Sequence, residues 1–458
     1  MSADSKFEAT GRLTDLICGT ASMNAVWSPQ ATVQRMLDVE AALARASAEH
    51  GVIPHDAVPA IVAACDASQI DAHALMTGAA SGGNLAIPLV KLLTANVRKV
   101  DTEAAKYVHW GATSQDIIDT GLVLQLHATF TQLEIDLRLT CDALSMQARA
   151  HRETPMIGRT WLQQALPITL GLKFAQWLDA LTRHRERLRA LRERVLVIQF
   201  GGAAGTLASL RDAAPAVAAS LARDLDLAVP ALPWHTQRDR IAETAGFLGM
   251  LTGTLGKIAR DISLQMQTEI GELAEPAGAG KGGSSTMPHK RNPVGCAAVL
   301  TAATRAPGLV ATVFAGMVQE HERALGGWQA EWEALPDLAR LTGGALVQIR
   351  DMVGGLEVNT GRLAANLDIT HGLILGEAVM LALGDAIGRL DAHHLVEQCS
   401  KRAIAEGRTL LDVLSATPDV TRHLDATQLE HLLDPAHYVG QAHALVDAAL
   451  ALHEAFQP

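Results

Sequence analysis

The chain has 458 residues, 48% of them apolar and 19% charged, with a formal charge of −11. That length buries a sizeable core in two or three domains, and the balance excludes a disordered chain. The absence of a basic run excludes a nucleic-acid or acidic-membrane surface, and 3% aromatics leave a core of Leu, Ala, Val and Ile that favours packed helices over strands.

Residues 1–110 read as several shorter helices with polar joints such as "GVIPHD" at 51–56. The N-terminus has no signal-type apolar segment, and no apolar run reaches the roughly 20 residues of a membrane span. Cys18, Cys65, Cys141, Cys296 and Cys399 are odd in number, far apart and never in C-x-x-C spacing. They read as thiols of a reducing compartment, so a cytoplasmic protein without structural zinc is expected.

The stretch 172–200 holds neither Gly nor Pro. Leu170, Phe174, Trp177, Leu181, His184, Leu188, Leu191 and Val195 fall there at alternating spacings of four and three, the stripe of a long bundle helix. His184 on that stripe reads as a hydrogen-bonded core or interface histidine. A second long helix is expected over about 239–270, where Gly246, Gly249, Gly253 and Gly256 share one face. Glycine costs helix propensity, so its recurrence points to close approach by a neighbouring helix. Apolar helical segments follow near 294–317 and 334–355. Beyond about 365 come short helices broken by "SATPDV" and "DPAHYVG". Strand alternation and internal repeats are lacking. The expectation is an all-α protein divided into 1–110, 111–365 and 366–458, with a long-helix bundle in the middle. Helices this long expose more apolar stripe than one chain covers, so oligomerisation is expected.

Between two of these helices lies "GAGKGGSSTMPHKRNP" (278–293). Gly278, Gly280 and Gly283 spell G-x-G-x-x-G, but a dinucleotide site needs those glycines directly after a strand, and here they follow a helix and a Pro/Gly break. A Walker A loop fails as well, since Glu275 stands where its first Gly should and Gly282 follows Lys281. Read physically, 278–283 is a hinge able to move a lid. Ser284 and Ser285 offer hydroxyls, Lys290 and Arg291 positive charge, and Asn292 an amide, a set suited to a carboxylate. A plain mobile surface loop is the competing reading.

"GSSTMPHKRNP" resembles the signature of the fumarase/aspartase superfamily. "HWGATSQDIIDTG" (109–121) and "GRTWLQQALP" (158–167) resemble its first and second conserved regions, in the expected order. The resemblance runs over essentially the whole chain. It implies a homotetramer whose central helices form one bundle, with each active site shared between subunits. It also implies addition or elimination across a C–C bond beside a carboxylate, through an aci-carboxylate intermediate and without cofactor or metal. Carried onto this sequence, Ser285 would exchange the proton on carbon, and Lys290 and Asn292 would stabilise the developing charge. Thr113, Ser114 and Gln115 would grip substrate from another subunit, although the same residues also read as an ordinary helix N-cap. Thr160, Gln163, Ser284 and Met287 complete the expected binding set from these blocks.

Where most members have a histidine after the Thr of "GRTH", this chain has Trp161. An indole cannot transfer a proton, which handicaps a lyase that expels a poor leaving group. An internal carboxylate nucleophile is already ionised at neutral pH, with a reference pKa near ~4, and needs a proton only on carbon. Together with "PWHTQRDR" (233–240) and "QEHERALGGWQAEWEALPD" (319–337), Trp161 is similar to the bacterial branch that lactonises 3-carboxy-cis,cis-muconate in protocatechuate breakdown. A tricarboxylate must then be met by cations, Lys290 and Arg323 first, with Arg238 and the Gln237 amide beside them; Arg323 also reads as a helix-surface partner of Glu320 or Glu322. Trp161 would shape and dry the pocket. The competing readings are an adenylosuccinate lyase, against which Ile17-Cys18 stands in place of an Arg-Tyr pair, and a non-catalytic homologue such as a lens crystallin.

Overall fold

The computed structural model describes residues 14–278, 282, 283, 287 and 289–456. The expectations for Ser284 and Ser285, and for residues 279–281 of the hinge, lie outside the described residues. Helix dominates. The long elements are Pro29–Glu49, Ser114–Ala150, Leu170–Val195, Asp239–Gln265, Val294–Ala315 and Gly327–Gly354. Four of them fall where the apolar patterning places them. The sequence reading does not single out the longest, Ser114–Ala150, although Val123, Leu126, Phe130, Leu133, Leu137, Cys141, Leu144 and Ala148 bury one stripe along it at spacings of three and four.

The chain divides into two compact units. The first holds residues up to 137 together with 184–256 and 298–348. Helix Pro29–Glu49 starts at Ser28, whose hydroxyl accepts the Ala31 N–H, with Pro29 at the first helical position. It buries Val33, Met36, Leu37 and Leu43, and the nearby Trp27 indole donates to Thr129 at 3.1 Å. The glycine stripe faces helix Val294–Ala315. A Cβ at Gly249 would stand 2.7 Å from Val310, and one at Gly256 2.7 Å from Ala303, so those two positions need glycine. His184 is buried, with Nε2 2.9 Å from the Thr254 hydroxyl, as the stripe implies.

Length and composition alone would let helix Val294–Ala315 cross a membrane. Its apolar character comes from Ala, Val and Leu at helix-packing positions, and it carries Pro307 and an Arg305–Asp337 ion pair.

The second unit holds residues 138–183, 257–297 and 349–458. Here the all-α fold carries a little strand: the block 158–167 lies on an antiparallel hairpin of Pro155–Thr160 and Gln163–Thr169. Met156 and Ile157 are buried. The ladder shifts register around Gly158, where a Cβ would stand 2.7 Å from the Leu166 carbonyl oxygen. The turn residues, Trp161 and Leu162, both have positive φ, 53° and 62°. That is the twist-matched two-residue hairpin geometry, which Asn-Gly usually fills. A second short pairing joins Leu273–Ala274 to Glu357–Val358. C-terminal helices between 376 and 432 close over a separate small core that includes Val379, Leu383, Leu410 and Val413.

Candidate active site

The first conserved block enters the Ser114–Ala150 helix through a tight turn. Gly111 has φ +82° and comes so close to Leu210 that a Cβ would stand 2.7 Å away. His109 also has positive φ, and its Nδ1 lies 2.6 Å from the buried Glu40 carboxylate. Burial works against the charged imidazole, but the Glu40 carboxylate, with Asp116 behind it, carries His109 above its usual pKa.

Thr113 and Arg323 meet although 210 positions separate them. The Arg323 guanidinium donates to the Thr113 hydroxyl at 2.9 Å and to the Ala203 carbonyl at 3.1 Å. The turn that carries Arg323 is held by Thr236, whose hydroxyl donates to the His321 carbonyl at 2.9 Å, and by Glu320, which accepts the Leu325 N–H at 3.0 Å. A guanidinium fixed at two points, with its other N–H groups unused by these bonds, can receive a carboxylate.

Beneath that corner lies a polar layer that sequence reasoning left out. The Asp116 carboxylate accepts the N–H groups of Thr113, Gly201 and Gly202, each at 2.9 Å, and His235 Nε2 at 2.8 Å. Asp116 stands in the quoted "TSQD" and His235 in the quoted "PWHTQRDR". Neither has a residue type unusual enough to stand out without the fold.

Gln115 and Arg238 turn into this layer rather than outward. Gln115 Nε2 donates to Asp119 at 3.0 Å and to the His235 carbonyl at 2.8 Å. Arg238, expected to meet substrate, is instead 1% exposed, and so are its two partners, Asp119 and Glu331. It donates to Asp119 at 2.6 and 3.2 Å and to Glu331 at 3.0 and 2.5 Å. The reason for the correction is electrostatic: two buried carboxylates need a buried cation. Ser114 stays half-buried, and Gln237 is exposed just before helix Asp239–Gln265.

In the second unit, Thr160, Trp161 and Gln163 sit at the exposed hairpin tip, and Trp161 is 98% exposed. The hairpin base is anchored where Arg159 pairs bidentately with the buried Glu272 at 2.8 and 2.6 Å. The Asn366 amide donates to the same carboxylate at 2.8 Å.

The described ends of the signature loop belong to this unit as well. Glu275 accepts the Gly295 and Cys296 N–H groups at 3.0 and 2.7 Å, in the first turn of helix Val294–Ala315. Glu357 accepts the Ala277 N–H at 3.1 Å and the Arg291 guanidinium at 2.7 and 2.9 Å. Arg291 therefore ties the loop's two ends together. The Asn292 N–H donates to the Gly282 carbonyl at 2.8 Å. Gly282 has φ +64°, and a Cβ there would stand 2.6 Å from the Asn292 carbonyl oxygen. Lys290 and Met287 are exposed and Asn292 is half-buried. Among the described residues no group of three His, Cys, Asp or Glu side chains could hold a metal ion.

A sequence family described as Lyase matches residues 18–308, and one described as Adenylosuccinate lyase C-terminus matches 372–449. A Pseudomonas aeruginosa protein named 3-carboxy-cis,cis-muconate cycloisomerase is 57% identical over 449 residues, which cover 98% of each chain. A protein of the same name from Bradyrhizobium diazoefficiens is 54% identical over 431 residues, 94% of this chain and 96% of its own. The crystal structure of 3-carboxy-cis,cis-muconate lactonizing enzyme from Pseudomonas putida superimposes with a TM-score of 0.94 at 53% identity, covering 97% of this chain and 100% of that one.

Proposed function

This chain belongs to the lyase family of the fumarase/aspartase superfamily, and from that premise we propose that it lactonises 3-carboxy-cis,cis-muconate to 4-carboxymuconolactone. The fold is all-α and fumarase/aspartase-like. The observation that carries the activity is the 57% identity spread over nearly the whole of both chains, a likeness of whole proteins rather than of one motif.

In this reading a substrate carboxylate oxygen attacks the conjugated alkene and forms the ring C–O bond. The electron pair of that alkene moves onto the carbon beside another carboxylate, which becomes an enediolate. Ser285, or a water that it positions, delivers a proton to that carbon, so three carboxylates become an ester and two carboxylates with one proton taken up. Lys290 and Asn292 carry the enediolate charge, and Arg323, braced on Thr113, receives a spectator carboxylate. Trp161 cannot move a proton and the reaction asks none of it. Its indole covers the pocket and excludes water.

The same reading includes a homotetramer with each site shared between subunits. The exposed Trp161–Leu162 tip is the element suited to reach a neighbour's site. The division into 1–110, 111–365 and 366–458 and a cytoplasmic location belong to it as well. A second reading, adenylosuccinate cleavage, is favoured by the match over 372–449.

One assay separates the two. The ultraviolet signal of the conjugated diene in fresh 3-carboxy-cis,cis-muconate should disappear with uptake of one proton per turnover, and S285A should abolish the change. Turnover of adenylosuccinate alone would overturn the assignment.

A further inference from the structure

We infer that the buried Asp116–His235 pair is a positioning device for Arg323, and so sets how tightly a substrate carboxylate is held. This rests on the reading of Arg323 as a substrate-binding cation. Arg323 has two supports, the Thr113 hydroxyl and the Ala203 carbonyl. Both supports hang from one carboxylate. Asp116 Oδ2 accepts the Thr113 and Gly202 N–H groups, and Oδ1 accepts Gly201 N–H, His235 Nε2 and, at 3.3 Å, Gln199 Nε2. Four N–H donors from two chain segments, and the His235 ring nitrogen from a third, therefore converge on two oxygens. Because the carboxylate only accepts, His235 carries its proton on Nε2.

The surroundings are built for this convergence. Gly202 has φ +69°, and a Cβ on Gly201 would stand 2.8 Å from His235 Cε1, so the double glycine lets the loop close on the imidazole. Gln199 is fixed from its other side by the Trp234 N–H at 2.6 Å, and the Trp234 indole donates to the Ile198 carbonyl at 3.0 Å. The Arg238 guanidinium lies 4.9 Å from the Trp234 ring centroid. Displacing Asp116 would move Thr113 and Ala203 together, and with them the guanidinium.

The test is kinetic, with 3-carboxy-cis,cis-muconate as substrate. D116N keeps the shape but swaps one acceptor oxygen for a donor, which leaves either the Thr113 and Gly202 N–H groups or the Gly201 and His235 donors facing an NH2. Arg323 holds substrate and transition state alike in this reading. The expected result is therefore a KM raised about tenfold or more, with kcat within about threefold. A purely structural defect does the reverse, lowering the active fraction and hence the apparent kcat while KM stays. H235L should raise KM in the same direction, and H235Q, whose amide N–H reaches where Nε2 does, should restore most of it. H235L and H235Q keep the test available if D116N fails to fold.

In the R323A background D116N should add little, because the group it positions is gone. The inference is overturned if D116N or H235L leaves KM unchanged, or if D116N and R323A multiply. R323A with an unchanged KM would instead sink the reading of Arg323 itself, and no turnover of this substrate by the intact enzyme would sink the proposed reaction.

Discussion

Replacing Arg238 with methionine tests whether the buried triad is structural. The guanidinium supplies all the hydrogen bonds described for the Glu331 carboxylate, whereas Asp119 also receives Gln115 Nε2 and Trp328 Nε1, each at 3.0 Å. In R238M the orphan is therefore Glu331. Removing one partner of a buried ion pair costs about 3–5 kcal/mol. With unfolding entropy near ~2.1 cal/mol/K per residue, a chain of 458 residues unfolding as one body loses about 3–5 °C in Tm.

The loss also has a pH signature. Burial holds the Glu331 carboxyl above its ordinary range, Arg238 pulls it back and Asp119 pushes it up. Without Arg238 it rises further. A raised acid keeps its proton in the folded state over a window where the unfolded state has released it, so stability falls as pH rises through that window. The R238M deficit, read against the unmutated protein at each pH, should be greatest above the raised pKa. It should shrink toward the ordinary glutamate value of about 4.3. R238M/E331L should lie closer to the unmutated protein than R238M does. Melting curves across pH 4.5–8 are the assay. A deficit below about 1 kcal/mol, or one flat with pH, would refute this account.

Three further substitutions probe the other parts. G282A puts a Cβ at positive φ, a strain of about 1–2 kcal/mol, and pushes it against the Asn292 carbonyl. We expect kcat to fall at least about tenfold with little change in Tm, and an unchanged kcat would show that the loop end tolerates displacement. Trp161 is 98% exposed, so W161A should act through KM, by about tenfold, or through weaker subunit association measured by sedimentation; no change in either would remove the hairpin tip from the site. For E40Q the sign comes from His109, whose raised pKa contributes stability that is complete below the unfolded value of about 6.5 and is lost as pH rises through the folded one. The Tm gap between the unmutated protein and E40Q should therefore be widest in acid and close in alkali, and a gap independent of pH would dismiss that pair as the cause.

Period and composition made four of the six long helices legible, and the glycine stripe foretold a close helix contact that Gly249 and Gly256 make. The hairpin at 155–169 was hidden for a physical reason. Its turn is formed by Trp161 and Leu162, two bulky residues in a left-handed conformation that sequence rules reserve for Asn and Gly. Arg238 misled because a basic residue in a quoted block reads as ligand-binding until its two buried carboxylates, at positions 119 and 331, are known. Asp116 and His235 were invisible for the same reason: their importance lies in convergence from distant segments, which one-dimensional spacing does not carry.

That convergence also orders events in time. Thr113, the 199–203 loop, His235 and Arg323 are strung over more than two hundred positions, and the corner has its cation only after the last of them has docked. Closing so long a segment costs entropy that grows only logarithmically, so the finished corner is not penalised for it, but such contacts form slowly and late. Helix Pro29–Glu49, with its own N-cap, can form from local sequence long before. A chain refolding from denaturant should therefore regain helical signal first and turnover afterwards, and one that stops short of residue 323 lacks the arginine that closes the corner.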